Sequence, residues 1–485
     1  MQVSRRLFTA LTATTVASAG LNAYAQTPAA SPVAGEMATR VFHGARITAD
    51  LPADMMMQMG AEDTFVGASN TFTMASSTPM TSIDALADGI VVQTGANKPE
   101  DIDLNGTPAK LITGGEGTVL PIPATIVVAP YPEPFARGEK EMNHVLIEVS
   151  PEIADAVIPT ISKDMTAVTP QTYVSSVLDI ARTNSLFANE IDFDSFEEGI
   201  ESHVTDMDSA HVYLEGPVRD GFRNVGDNHT HFVGTAESAE EATPMATAIA
   251  ATSDVPTGNL LDDGTLVLTI PGTDGSGAGD YMRAARTLIA DATAETDCLK
   301  VILDLRSNGG GSVYPMIGAI APLLPEGDVF GYSYPQVDFV KMMTMEEVLT
   351  VAGTTDDLPA SDLDLSGVPV AVLFGPNTAS SGELSAISFI GRENAQSFGM
   401  ESAGYTTANT TFHLLDGWMF NIASSLLVDR AGTEYGHTLT PDNEVDFSEE
   451  QLGTADDPVI ASAQSWLQGQ SCAVPAGTPH ATPAS

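Results

Sequence analysis

The chain has 485 residues, with 64 Asp+Glu against 19 Lys+Arg and a formal net charge of −45. With 43% hydrophobic and 17% charged residues, it can bury cores, which argues against wholesale disorder and allows two to four compact units. The negative charge repels phosphate backbones and anionic lipid, so nucleic acid and membrane surfaces are not expected partners.

The N-terminus has the three parts of an export signal over residues 1–25. Arg5-Arg6 form a basic start, Leu7 to Ala19 a short apolar run, and Ala23-Tyr24-Ala25 a small-x-small cleavage site. The mature chain is then expected to begin at Gln26. Ser4-Arg5-Arg6-Leu7-Phe8 also resembles a twin-arginine signal, against the plainer reading of a secretory signal with two arginines. A secreted, periplasmic or cell-surface protein is expected. No Cys follows the cleavage site, so no lipid anchor is expected, and no later apolar run reaches the ~18 residues of a membrane span.

Residues 26–36 read as a low-complexity linker. Residues 37–150, rich in Thr, Gly, Val and Pro, read as a β-rich accessory domain with strands such as 125–129 and 144–149. Met55-Met56-Met57 reads as packing. From Pro170 the period becomes helical: Tyr173, Val174, Val177, Leu178 and Ala181 share a face, and Asp194 to Val204 continues in kind. Residues 151–257 thus form a helical region that carries Asp227-Asn228-His229-Thr230-His231-Phe232.

Residues 258–470 alternate strand and helix. Strands are expected at 265–270, 299–305 and 368–374, the second a near-continuous apolar run as in a strand buried on both faces and the third another buried strand. Helices are expected from Asp280 as cap, over 313–324, and over 381–390. The end turns to β: 412–415, a turn at Asp416-Gly417, then 418–428. The fold class is α/β (α+β), a mixed sheet with helices behind a β-rich domain. Residues 471–485 read as a disordered tail.

Three segments carry chemistry. Gly375-Pro-Asn-Thr-Ala-Ser380-Ser381-Gly382-Glu383 follows a buried strand and opens a helix, so a serine there is exposed at a turn beside a helix N-terminus; simple helix capping is the competing reading. Arg306-Ser307-Asn308-Gly309-Gly310-Gly311 offers backbone N–H groups to an anion, or is only a strand-to-helix turn; no Gly-Lys-Ser/Thr makes it a phosphate loop. Asp227-x-His229-x-His231 supplies a general base. It would also suit zinc, but no third ligand has metal spacing. Gly272-x-x-Gly275-x-Gly277-x-Gly279 misses the dinucleotide pattern and reads as a loop. Cys298 and Cys472, the only cysteines, form a disulfide or stay as two thiols.

From about residue 170 to 447 the chain resembles the C-terminal processing (tail-specific) serine peptidases, family S41. The resemblance rests on VILDLRSNGGGSVYPMIGAIAPLL, VAVLFGPNTASSGELSA, GMESAGYTTAN, LLDGWMFNIASS and DRAGTEYGHTLTPD in the family's order, with NVGDNHTHF ahead of them. It implies a serine peptidase with Ser380 as nucleophile, Gly310 and Ser381 as oxyanion donors, a protein or peptide substrate, and no metal or cofactor. The Ser-Lys branch places a lysine where this chain reads Gly404-Tyr405, but no Lys follows Lys341. The chain therefore resembles the Ser-His branch of the tricorn core protease. That makes His229 the base, with Glu434 its first-choice acid partner and Asp442 and Asp227 behind it. Only residues 232–258 separate His231 from Asn259, too few for the PDZ domain often inserted in the family. A non-catalytic binding module on the same fold is the alternative.

Overall fold

The computed structural model describes residues 37–471 apart from 43–45, 54, 58–63, 67–69, 78–81, 119–121, 138–139, 165–168, 202, 234–254, 336–338, 353–357 and 415–417. The expected export signal at 1–25, the expected linker at 26–36, the expected turn at Asp416-Gly417 and the expected tail from Cys472 onward lie outside the described residues. Two compact units emerge. The first takes residues up to 242 together with 409–424; the second takes 243–408 and 425 onward.

In the first unit, strands β1 (Met37–Phe42), β2 (Ile47–Pro52), β3 (Met56–Met57), β4 (Thr64–Val66) and β5 (Thr71–Ser77) precede helix α1 (Ile83–Thr94). Strands β6 (Glu100–Leu104), β7 (Thr107–Glu116), β8 (Pro123–Arg137) and β9 (Lys140–Val149), helix α2 (Pro151–Val157) and strand β10 (Ser162–Lys163) follow. A seven-stranded sheet runs β3-β4-β5-β9-β8-β7-β6, and β1-β2-β10 form a second sheet. Alternation along β8 builds two cores. Ile126 and Val128 pack with Leu86 and Ile90 of α1, while Val127 and Ala129 join Phe72, Ile147 and Val157 on the other face. The β-rich expectation holds. Helix α1, held by the Ser82 N-cap and a left-handed Gly95 at φ 69°, was not anticipated.

Helices α3 (Pro170–Asn184), α4 (Phe193–Glu201) and α5 (Met207–Asn224) follow, then strand β11 (His231–Val233). The face Tyr173, Val174, Val177, Leu178 and Ala181 is buried against Leu214, Phe222 and Phe420. Thr169 caps α3 in a reciprocal capping box with Thr172.

The second unit contains β12 (Thr257–Leu260), β13 (Thr265–Thr269), α6 (Ala278–Glu295), β14 (Lys300–Asp304), α7 (Val313–Ile320), β15 (Asp328–Tyr334), β16 (Phe339–Thr344), α8 (Met345–Val351), β17 (Val370–Phe374), α9 (Ser381–Ile387) and β18 (Ala395–Gly399). Strands β19 (Thr407–His413) and β20 (Met419–Val428) run through both units; β21 (Glu434–Tyr435), β22 (Asn443–Glu444) and α10 (Pro458–Gln468) close the second. Within the first unit β20 pairs with β11, and within the second with β15.

The site depends on the sheet β12-β13-β14-β17-β18-β22. From β13 to β22 every pairing is parallel. Ile302, Ala371 and Leu373 face α10 through Val459, Ala463 and Leu467. Val301, Leu303, Val370 and Val372 alternate to the opposite face and are also buried. This explains why β14 and β17 read as near-continuous apolar runs. Helix α6 starts at Ala278, ahead of the expected Asp280 cap, because Gly277 takes a left-handed φ of 67°. Helix α7 ends at Ile320 and passes into a 3₁₀ turn over Ala321–Leu323; α9 ends at Ile387.

Cys298 precedes β14 and is disulfide-bonded. Counting thiols under denaturing, non-reducing conditions is expected to find none. Two free thiols would contradict the bridge.

Candidate active site

Three neighbouring parallel strands deliver three loops to one edge of the sheet. Strand β14 ends in the glycine loop, β17 in the serine turn, and β18 in the segment 400–406. In open α/β sheets the carboxyl ends of the strands are where ligands bind.

The serine turn is tied down residue by residue. Thr378 Oγ1 accepts the Gly375 N–H at 3.0 Å and donates to the Leu305 carbonyl at 2.8 Å. Ala379 N–H donates to the Asn308 carbonyl at 3.0 Å. Ser380 then adopts φ 53°, ψ −118°, a conformation that is strained for a side chain with a β-carbon and costs about 1–3 kcal/mol. Such strain is found where a strand must turn sharply into a helix and expose a hydroxyl. Ser381, the next residue, donates its own Oγ to the Gly311 carbonyl at 2.6 Å. Its N–H stands at the first helical position, where no intrahelical acceptor exists.

The glycine loop fits against this turn because it lacks side chains. A β-carbon on Gly310, whose φ is +102°, would lie 2.9 Å from the Ser380 Cβ and 2.9 Å from the Ala379 carbonyl oxygen. One on Gly382 would overlap the Asn308 carbonyl. Gly382→Ala is therefore expected to push loop and turn apart. Overpacking of this kind costs about 1–3 kcal/mol, and turnover is expected to fall at least ~10-fold through misplacement. Thermal unfolding and rate measurement together check this, and wild-type values in both would contradict the close approach.

Asn308, completely buried, is the keystone between these strands. Its Nδ2 donates to the Ile270 carbonyl at 3.0 Å, and its Oδ1 accepts the Gly310 N–H at 2.9 Å. The expected oxyanion donor at Gly310 is thus already engaged, a local bond that a run of glycines does not reveal. Arg306 anchors the base of the loop. It pairs with Asp304 at 2.7 Å and Asp457 at 2.8 Å while 1% exposed, and lies over the Phe447 ring at 5.2 Å. Breaking such a buried pair leaves a charge uncompensated.

Glu383, on the first turn of α9, is fully buried. It accepts from Ser380 N–H at 2.7 Å, Ser402 Oγ at 2.5 Å, Gly404 N–H at 2.9 Å and Tyr405 N–H at 2.9 Å. Burial pushes its carboxyl up to about 7, against the pull of these four donors.

The histidine motif is built within the first unit. Asp227, 2% exposed, takes the N–H groups of His229 at 2.8 Å and Thr230 at 3.0 Å on Oδ1, and the Thr230 hydroxyl at 2.6 Å on Oδ2. This turn sets the backbone of His229, whose carbonyl accepts from Asn409 Nδ2 at 3.0 Å. His231 has both ring nitrogens engaged: Nδ1 with the His229 carbonyl at 2.7 Å, Nε2 with Asn421 Nδ2 at 3.1 Å. Burial lowers the pKa of this ring, against the pull of the His229 carbonyl and the Asp227 carboxylate. Among the described residues no group of three His, Cys, Asp or Glu could hold a metal.

The sheet edge therefore brings Ser380, Ser381 and Gly310 together. His229 is positioned in the first unit. Glu434 lies exposed on β21, where it accepts the Ser333 hydroxyl at 2.5 Å. Asp442 holds Ser397 through its N–H at 2.9 Å and hydroxyl at 2.8 Å. Sequence reasoning passed over Asn308 and Glu383. Ser380-x-x-Glu383 carried a signal, the capping-box spacing; Asn308 carried none beyond its adjacent glycines.

The second unit is thus an α/β domain with a strained serine and a glycine loop at the ends of adjacent parallel strands. Residues 265–445 match Peptidase family S41. The nisin-resistance protein of Lactococcus lactis subsp. lactis is 35% identical over 185 residues, 38% of this chain and 57% of that protein. The chain thus matches little more than half of that relative's length. A lipoprotein from Streptococcus agalactiae shares the fold at 24% identity and TM-score 0.50, over 63% of this chain and 98% of that one. A photosystem II D1 C-terminal processing protease gives 12% identity and TM-score 0.42 over 61% of this chain and 100% of that one, too distant to argue from.

Proposed function

We propose that the protein is an exported serine peptidase that cleaves peptide bonds through an acyl-enzyme. One observation carries the assignment: Ser380 holds a strained left-handed conformation at a strand-to-helix turn beside the glycine loop. Ser380 Oγ attacks the peptide carbonyl and gives its proton to His229. The Ser381 N–H faces the oxyanion, joined by Gly310 once Asn308 Oδ1 releases its N–H. His229 returns the proton to the leaving amine, an ester remains on Ser380, and water deprotonated by His229 hydrolyses it. Glu434 remains our assignment for the acid partner of His229, from the resemblance of its segment to the family. The export signal at 1–25 and the description of one structural relative as a lipoprotein support an exported or cell-surface location, by the twin-arginine route in our reading.

A second reading, a non-catalytic binding module, is favoured by the occupied Gly310 N–H. Labelling with a fluorophosphonate probe separates the two. A peptidase is labelled and cleaves peptides, whereas an inert module does neither.

A further inference from the structure

Glu383 takes no part in the chemistry above, yet its four hydrogen bonds join two of the three loops at the sheet edge. Ser380 donates from the serine turn; Ser402, Gly404 and Tyr405 donate from the segment after β18. A glutamate in an ordinary capping box reaches back to the N-cap N–H from the solvent side and needs no other partner. Here the carboxylate is buried and three further donors converge on it.

An ionised carboxylate offers about four lone-pair sites, and these four donors fill them. A protonated one does not fit the same cage. Three of its partners are backbone N–H groups, which cannot accept a hydrogen bond. The fourth, Ser402 Oγ, already receives the Leu439 N–H at 2.8 Å. Protonation would turn the Ser402 bond around or break one of the others. The strain at Ser380 needs an external hold, and Glu383 grips the N–H of that very residue.

We propose that Glu383 is the positioning residue of the nucleophile turn, its carboxylate tying the strained Ser380 backbone to residues 402–405. The segment that carries lysine in the Ser-Lys branch here supplies the Gly404 and Tyr405 N–H groups to a carboxylate instead. The inference rests on Ser380 being the nucleophile.

The direction of the pH effect follows from burial, the largest influence on this carboxyl, with only the four donors opposing it. No charged side chain is among those influences: of the ionisable residues on the neighbouring segments, Glu401, Tyr405 and His437, only Tyr405 acts on Glu383, and through its backbone N–H. As pH falls through about 7, Glu383 takes a proton, the cage loosens, and kcat falls.

The test measures kcat and KM against pH on one peptide substrate for the wild type, Glu383→Gln, Ser402→Ala and Ser380→Ala. Glu383→Gln is expected to lose about 10²-fold in kcat, the cost of a misplaced reacting group, with KM little changed and with one proton fewer in the acid limb. Ser402→Ala removes a donor that favours the carboxylate, so its acid limb is expected to move to higher pH. This second variant keeps the proposal open to refutation should Glu383→Gln fail to fold. Wild-type kcat and profile in Glu383→Gln, or an unmoved limb in Ser402→Ala, beside an inactive Ser380→Ala, would overturn the inference and leave the peptidase reading standing. An active Ser380→Ala would remove that reading and the inference with it.

Discussion

Ser380→Ala is expected to lose ~10³-fold or more in turnover while its thermal unfolding stays close to wild type. The fold should survive because alanine keeps the β-carbon that packs against Gly310, and the Ser380 N–H to Glu383 bond involves only backbone on the serine side. Ser381→Ala loses the bond to the Gly311 carbonyl and is expected to weaken activity without abolishing it. The pair fixes the register of the motif, since a dead Ser381→Ala beside an active Ser380→Ala would move the nucleophile by one residue.

The second large effect is expected at His229. Its replacement by alanine should remove the activity together with its dependence on a neutral imidazole, since a protonated ring cannot accept the Ser380 proton. On this account wild-type activity is expected to rise with pH, because only a neutral ring accepts that proton. His231→Ala should only weaken the enzyme. Its ring holds the His229 carbonyl on one side and Asn421 on the other, so its loss loosens a segment and removes no proton acceptor. Rate–pH profiles of both variants check this. An active His229→Ala enzyme would shift the base to His211 or His437.

What the sequence disclosed and what it hid have separate physical causes. Strands β14 and β17 were legible because a parallel strand covered on both faces is apolar along its buried length, with only the end residues Lys300 and Asp304 of β14 departing from that rule. The serine turn and the glycine loop were legible because their backbones need small residues. Helix α3 announced itself by its period. Helix α5 did not, because Pro217 interrupts it; α10 was missed although Asp457-Pro458 is an N-cap followed by proline at the first turn. The supporting shell was the least visible part. Glu383 is held mainly by backbone N–H groups some twenty residues away, and a backbone donor leaves no mark on residue identity. The same holds for the Gly310 N–H taken by Asn308.

The central claim is that Ser380 is the attacking residue, and one measurement addresses it directly. The purified protein is treated with a fluorophosphonate under conditions where it cleaves a peptide substrate, and the adduct is located by peptide mapping with mass spectrometry. The account predicts one adduct, on Ser380, forming in step with loss of peptide cleavage and absent from Ser380→Ala. Cleavage that continues with Ser380 unmodified, or an adduct on another residue that tracks the loss of activity, would contradict it.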